Sequence, residues 1–298
     1  MKSFDYLAPG TIKEAVAALN ARPEAMVLAG GTDTLVRMKA RVWAPEMLVD
    51  IKRIPGIADL TYDRKTGLTI GAAVTMRQVE LSETVQKHYP AIAQGAQVVA
   101  SVQVRNRATL VGNLCNAAPS ADTAPGMIVT GAKVRIAGPK GRRSVLLEKF
   151  FTGPGQTVLK PGEMVTAAQV PPPGSRTGSA YARHTPRGAM DIAVVGVGVG
   201  VTLAPRTGAC EEIKIVLGAV ASTPLRVRKA EKVLKGQAPT PELIDQAAEM
   251  AAEEARPIDD VRASAGYRRD LVRVLTRRMI AAALEDARKG AQAKRRTA

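Results

Sequence analysis

With two cysteines, two histidines and aromatic residues at 3% of 298 positions, this chain is poor in the side chains that carry most metal and nucleophile chemistry. Cys115 and Cys210 are too few for a four-cysteine zinc site or for an iron–sulfur cluster held by this chain alone, each of which needs about four thiolates. His88 and His184 form no paired metal-ligand motif, no two carboxylates are spaced for acid–base work, and no serine sits in a Gly-x-Ser-x-Gly elbow. If the chain takes part in catalysis, a cofactor is expected to carry the chemistry. Nor does any apolar run approach the roughly 18 residues of a membrane span; the longest, Ile192–Leu203, reads as a buried strand. The opening MKSFDYLAPG has no apolar signal region, and with two isolated cysteines it predicts a reducing, cytoplasmic setting.

Positive charge is abundant: 43 Lys and Arg stand against 27 Asp and Glu, a net +16. The excess divides evenly between residues 1–175 and 176–298, and the only dense stretch is 256–298, with 12 basic and 5 acidic residues. It ends in Lys289, Lys294, Arg295 and Arg296 and has no aromatic residue after Tyr267, so it lacks the stacking surface of a single-strand binder. A solvated helix face with a frayed tail, or a surface that docks on an acidic protein partner, fits it better than nucleic acid does.

Thr11-Ile-Lys-Glu14 is a capping box that starts a helix over about 12–20. Met26–Ala29 reads as a strand, Gly30-Gly31 as a tight turn, Thr34–Ala40 as a helix and Leu48–Ile51 as a strand, together a small βαβ-like unit within residues 1–55. From residue 56 a strand at 68–72, a capping box at Thr75–Gln78, a helix over Pro90–Ser101, a loop-rich run through 109–122 and strands at 132–136 and 144–147 make a second unit reaching about 175. The run Pro171–Gly178 is the best linker. After it, strands at 180–184, 191–204 and 212–220 precede helices at 225–235, 240–255 and 266–289, which predicts an antiparallel sheet with helices on one face over 176–290, then a basic tail, 291–298.

The strongest local signal is Ala29-Gly30-Gly31-Thr32-Asp33. Two glycines between strand and helix let backbone approach a ligand, and the amides at the helix start form a nest suited to a diphosphate, although the same pair also makes a bare tight turn. It is not the Gly-x-Gly-x-x-Gly dinucleotide fingerprint. Thr109-Leu110-Val111-Gly112-Asn113 is a second turn of similar character, able to grip the other side of the same ligand. Asp122 suits a ribose or ribityl hydroxyl, or merely caps the next turn; Arg183 suits a flavin or phosphate, or is an ordinary strand charge.

These motifs in this order, with Gln103–Asn106, Asn116–Asp122 and Asp191–Val195 between and after them, resemble the FAD-binding medium subunits of molybdenum hydroxylases, the xanthine dehydrogenase and carbon monoxide dehydrogenase family. The resemblance runs nearly end to end. It implies an α+β fold: a PCMH-type, vanillyl-alcohol-oxidase-like FAD domain of two α/β subdomains over 1–175, followed by an antiparallel sheet with helices. It implies that FAD is held by Val27, Leu28, Ala29, Gly30, Gly31, Thr32, Asp33, Thr34, Val99, Thr109, Leu110, Val111, Gly112, Asn113, Asp122, Val165 and Arg183. The implied role is electron transfer. A molybdopterin large subunit hydroxylates substrate, a small subunit relays electrons through two [2Fe–2S] clusters, and the flavin delivers them to NAD⁺, a quinone or oxygen in a dimer of heterotrimers. The chain departs from the family pattern at Val111, where a glycine is usual, and at Arg183, where a lysine is more frequent. It has no cysteine-rich insertion after Asp122, so the extra [4Fe–4S] cluster of some relatives is not expected. A cofactor-less scaffold or a nucleic-acid-binding protein on the same fold is the alternative.

Overall fold

A computed structural model describes residues 1–295, with the side chains of 290–295 outside the description; the basic side chains of the tail expected at 291–298 therefore lie outside the described residues. The chain opens with β1 (Asp5–Leu7), α1 (Ile12–Ala21), β2 (Ala25–Leu28), α2 (Thr34–Lys39) and β3 (Met47–Asp50), whose strands form a parallel sheet in the order β1-β3-β2. Then come β4 (Leu60–Asp63), β5 (Gly67–Gly71) and six short helices: α3 (Met76–Leu81), α4 (Glu83–His88), α5 (Pro90–Gln97), α6 (Val102–Arg105), α7 (Leu110–Asn116) and α8 (Thr123–Val129). They are followed by β6 (Lys133–Gly138), β7 (Gly141–Leu146), the small hairpin of β8 (Phe151–Gly153) and β9 (Gln156–Thr157), and β10 (Met164–Val170). Five of these strands form an antiparallel sheet, β4-β5-β10-β6-β7. The rest of the chain is the antiparallel sheet β11 (Thr177–His184), β12 (Val195–Leu203), β13 (Cys210–Gly218), β14 (Leu225–Arg226), then α9 (Arg228–Leu234), α10 (Pro241–Glu254) and α11 (Ala265–Arg295).

Local chemistry sets the helix starts. Thr75 accepts from the Gln78 amide while Gln78 accepts from the Thr75 amide, at 3.2 and 2.8 Å, a complete capping box. At α1 the Thr11 hydroxyl accepts from Glu14 N, but the Glu14 carboxylate reaches back one residue further, to Gly10 N at 2.8 Å.

β12 reads Val-Gly-Val-Gly-Val-Gly-Val, and the strand period of two sorts it by face. Val195, Val197, Val199 and Val201 join the core beneath α10 and α11, while Gly196, Gly198 and Gly200 turn the other way, onto Tyr181 and α8. A Cβ on Gly198 would lie 2.9 Å from the Pro125 carbonyl carbon, and one on Gly200 2.9 Å from Val129 O. Helices therefore cover both faces of this sheet, a correction to the single covered face read from the order of elements; bare glycines let α8 settle on the second. Gly198→Ala is expected to lower stability by about 1–3 kcal/mol through overpacking against backbone, measurable as a reduced midpoint in thermal or urea denaturation.

Other expectations are corrected as well. α5 stops at Gln97 rather than Ser101, because Ala100 adopts φ +45° and the Ser101 hydroxyl caps α6 by accepting from Val104 N. Thr109–Asn113 is not loop but the cap and first turn of α7, with Thr109 Oγ1 accepting from Gly112 N at 3.0 Å. Strand β12 starts at Val195 instead of 191, because the Asp191 carboxylate accepts from the amides of Arg187 and Ile192 and holds 187–192 as a loop. The helix expected over 225–235 begins only at Arg228, after the short strand β14, and the last helix runs beyond 289 to Arg295.

Candidate functional site

A cavity of about 490 Å³, within the size range of small-molecule sites, lies between the β2–α2 turn, α7, and the strand β10. The turn is built by two glycines with different duties. Gly31 has φ +75°, a left-handed conformation that side chains rarely adopt. Gly30 makes close contact with protein: a Cβ there would lie 2.2 Å from Arg107 O and 2.9 Å from Ala108 Cα, so its bareness presses the turn against the segment that starts α7. The backbone N–H groups of Gly30 through Thr34 donate to no protein acceptor among the described residues. Asp33, at the N-cap position of α2, leaves the first turn uncapped, since its side chain accepts no bond there. A row of free amides beside Thr32 and Thr34 is the donor set that a diphosphate needs.

The second motif is spent differently. Leu110 N donates to Val74 O, Gly112 N to Thr109 Oγ1 and Asn113 N to Thr109 O, which leaves Thr109 N and Val111 N as the free amides of that turn among the described residues. The first turn therefore carries most of the anion-binding capacity. Val111 occupies the usual glycine position with its side chain buried in the core cluster.

Of the residues expected at the site, Val27, Ala29, Gly31, Thr32, Asp33, Thr34, Val99, Thr109, Val111, Gly112, Asn113, Asp122 and Val165 line this cavity. Leu28, Gly30, Leu110 and Arg183 do not: Leu28 packs with Met38 and Leu48 on the far side of the small sheet, and Leu110 is fully buried. Asp122 and Arg183, 61 positions apart, meet as a nearly buried ion pair, with Arg183 Nη1 donating to Asp122 Oδ2 at 2.6 Å and to Asp191 O at 3.2 Å. Tyr181 donates its hydroxyl to Asp122 Oδ1 at 2.7 Å. Burial pushes the Asp122 carboxyl up to about 6 even though Arg183 and Tyr181 favour its charged form, and burial beside Asp122 raises the Tyr181 phenol. Sequence reading missed Tyr181, although it stands two residues before Arg183 in a strand and so shares its face.

Three further lining residues define what the cavity can do. Glu163 is tied to Arg143 and Lys160 N, so its carboxylate is already occupied. Burial raises the Cys115 thiol to about 12, which keeps it protonated and unreactive. Asn116, at the end of α7, has its amide oxygen enclosed without a hydrogen-bond partner. The free amides and the apolar walls fit FAD: the first answers a diphosphate and the second a ring face.

The family model "FAD binding domain in molybdopterin dehydrogenase" matches residues 2–173, and "CO dehydrogenase flavoprotein C-terminal domain" matches 180–283. The chain is 32% identical to the xanthine dehydrogenase FAD-binding subunit of Escherichia coli O157:H7, over 94% of this chain and 95% of that one. It is 34% identical to the carbon monoxide dehydrogenase medium chain of Hydrogenophaga pseudoflava, over 94% and 96%. Among solved structures it superposes on the carbon monoxide dehydrogenase of Hydrogenophaga pseudoflava with a TM-score of 0.91 at 34% identity, covering 96% of this chain and 98% of that one. For the quinoline 2-oxidoreductase of Pseudomonas putida 86 the TM-score is 0.87 at 29% identity, covering 98% and 100%.

Proposed function

This chain belongs to the FAD-binding medium subunits of the xanthine dehydrogenase and carbon monoxide dehydrogenase family, and from that premise we propose that its cavity holds one FAD for electron transfer within a molybdenum hydroxylase complex. The observation that carries this reading is the row of unbonded amides from Gly31 to Thr34 at the edge of the cavity. Those amides, with the positive end of α2 behind them and the Thr32 and Thr34 hydroxyls beside them, bind the diphosphate oxygens. Val99 and Val165 pack against the cofactor and exclude water from it. Asp122 accepts a hydroxyl of the ribityl or ribose portion, and Arg183 and Tyr181 act through Asp122 by fixing its orientation.

When bound, the flavin supplies the redox chemistry. The chain itself supplies placement: Glu163 is committed to Arg143 and Cys115 is held protonated, so neither offers the acid–base or nucleophilic function that a stand-alone substrate oxidation needs. By family membership, electrons would arrive from the [2Fe–2S] clusters of a small subunit served by a molybdopterin large subunit and leave for NAD⁺, a quinone or oxygen. The proposed assembly is a cytoplasmic dimer of heterotrimers, with residues 1–175, in subdomains 1–55 and 56–175, as the FAD domain and 176–290 as the second domain. Among the described residues no helix is long and apolar enough to cross a membrane.

Purified full-length chain is expected to be yellow, or to become so on adding FAD, and to release intact FAD on denaturation. Colourless protein that takes up no FAD supplied in excess would defeat the proposal.

A further inference from the structure

The carbonyl of Ala29 stands where the small sheet ends and the glycine turn begins. The last register pair of β2 and β3 is Leu28 with Asp50, so Ala29 lies one residue beyond the ladder, and no backbone amide donates to its oxygen among the described residues. The donor it has is Lys52 Nζ, at 3.2 Å, reaching across from the turn that follows β3. Lys52 is itself held. Its Nζ lies 2.7 Å from Asp50 Oδ1, and its backbone amide donates to the same oxygen at 3.0 Å. Tyr6, on β1, donates its hydroxyl to the other carboxylate oxygen, Asp50 Oδ2, at 2.6 Å. Burial raises the Asp50 carboxyl, yet Lys52 and Tyr6 outweigh it and hold it below the ordinary carboxylate value, so the pair with Lys52 is ionic at neutral pH.

This network touches the turn without lining the cavity. Ala29, Gly31, Thr32, Asp33 and Thr34 line it; Lys52 and Asp50 do not. A trans peptide is planar, with its C=O and N–H pointing opposite ways, so a bond that fixes Ala29 O also fixes the Gly30 N–H and the direction in which the chain enters the turn. The peptide needs fixing, because the glycine after it accepts φ of either sign and offers no steric bar to reversal. Reversal would put an oxygen where the Gly30 N–H stands, beside the free amides of Gly31 to Thr34, and an oxygen there repels a diphosphate.

Resting on the FAD reading above, we infer that Lys52, braced by Asp50 and Tyr6, is a positioning residue that holds the Ala29–Gly30 peptide and so keeps the amide row set for the diphosphate. The test takes full-length protein freed of flavin and measures FAD and ADP, which share the diphosphate, by titration calorimetry at low and high sodium chloride. Lys52→Met, of similar length without a donor, is expected to weaken both ligands about tenfold and by the same factor at either salt concentration. Its melting temperature should stay within a few degrees of wild type, because the ion pair it removes is partly exposed. Lys52→Arg, which keeps the donors, is expected to restore most of the lost affinity. Unchanged affinity in Lys52→Met, a loss confined to FAD, or an arginine variant that binds no better than the methionine one overturns the assignment. So does a loss that disappears at high salt, which marks attraction between charges rather than a held peptide. Wild-type protein that binds neither FAD nor ADP overturns the functional reading instead.

Discussion

Gly31→Val is expected to abolish FAD retention while leaving a folded protein, and Gly30→Ala, one position away, to damage the fold instead. At Gly31 an added Cβ meets only the ends of Leu28 and Leu35, at 3.2 Å each, which can yield. The strain comes from φ +75°, which costs a β-branched residue about 1–3 kcal/mol. A small shift relieves that strain, and it moves the very amides that must converge on the diphosphate. At Gly30 the added atom would sit 2.2 Å from a backbone oxygen, and neither segment can move without opening the contact between the turn and the start of α7. The expected pattern is colourless Gly31→Val protein with a melting temperature within a few degrees of wild type, and poorly soluble or strongly destabilised Gly30→Ala protein. Flavin content by absorbance and melting by circular dichroism separate the two; full flavin occupancy in Gly31→Val contradicts the placement of the diphosphate.

Removing Arg183 is expected to be the most damaging side-chain truncation at the site. Arg183→Ala leaves the Asp122 carboxylate buried against Tyr181 without its cation, a loss of about 3–5 kcal/mol for a broken buried pair. The penalty depends on pH in a defined direction. Asp122 titrates at about 6 in the folded chain, above the usual carboxylate value near 3.9 in an unfolded one. Its protonation therefore favours the folded state: that contribution is fully present below about pH 4 and is lost as pH rises through about 6. Arg183→Ala should thus regain stability on acidification, because a neutral carboxyl needs no cation. Asp122→Asn should remove this pH dependence and, combined with Arg183→Ala, restore much of the lost stability at neutral pH. Urea denaturation between pH 5 and 8 reads both effects; a penalty for Arg183→Ala that does not change across that range would show that charge burial is not its cause.

Much of the architecture was legible because it rests on local signals. Capping residues placed α1 and α3, and the apolar runs of β2, β3, β12 and β13 declared themselves. The strands that escaped notice, β1, β4, β8, β9, β10 and β14, are short or unpatterned: β10, Met-Val-Thr-Ala-Ala-Gln-Val, is central in its sheet and buried on both faces, so it shows no alternation. At the candidate site the first glycine turn was legible as an amide nest, whereas the second misled. Thr109-Leu-Val-Gly112 carries both a cap residue and a glycine, and here the cap dominates. The joining of Asp122 to Arg183 and Tyr181 had no local signature, since it depends on how α8 and β11 come together across about 60 positions of chain.

The glycine face of β12 has a consequence for how the molecule works. α8 begins at Thr123, directly after Asp122, and lies against a strand that puts no side chains between them. Interlocking side chains can re-rotamerise and let two layers slide; backbone against backbone has no such slack. The segment that follows Asp122 and the second sheet are thus joined by direct backbone contact. Electron tunnelling weakens exponentially with distance, so a subunit that passes electrons between partners gains from a fixed gap more than from a mobile one. The seam of Gly198 and Gly200 acts as a gauge block, because how far a Cβ would push Pro125 and Val129 away sets how closely the helix after Asp122 approaches the second sheet.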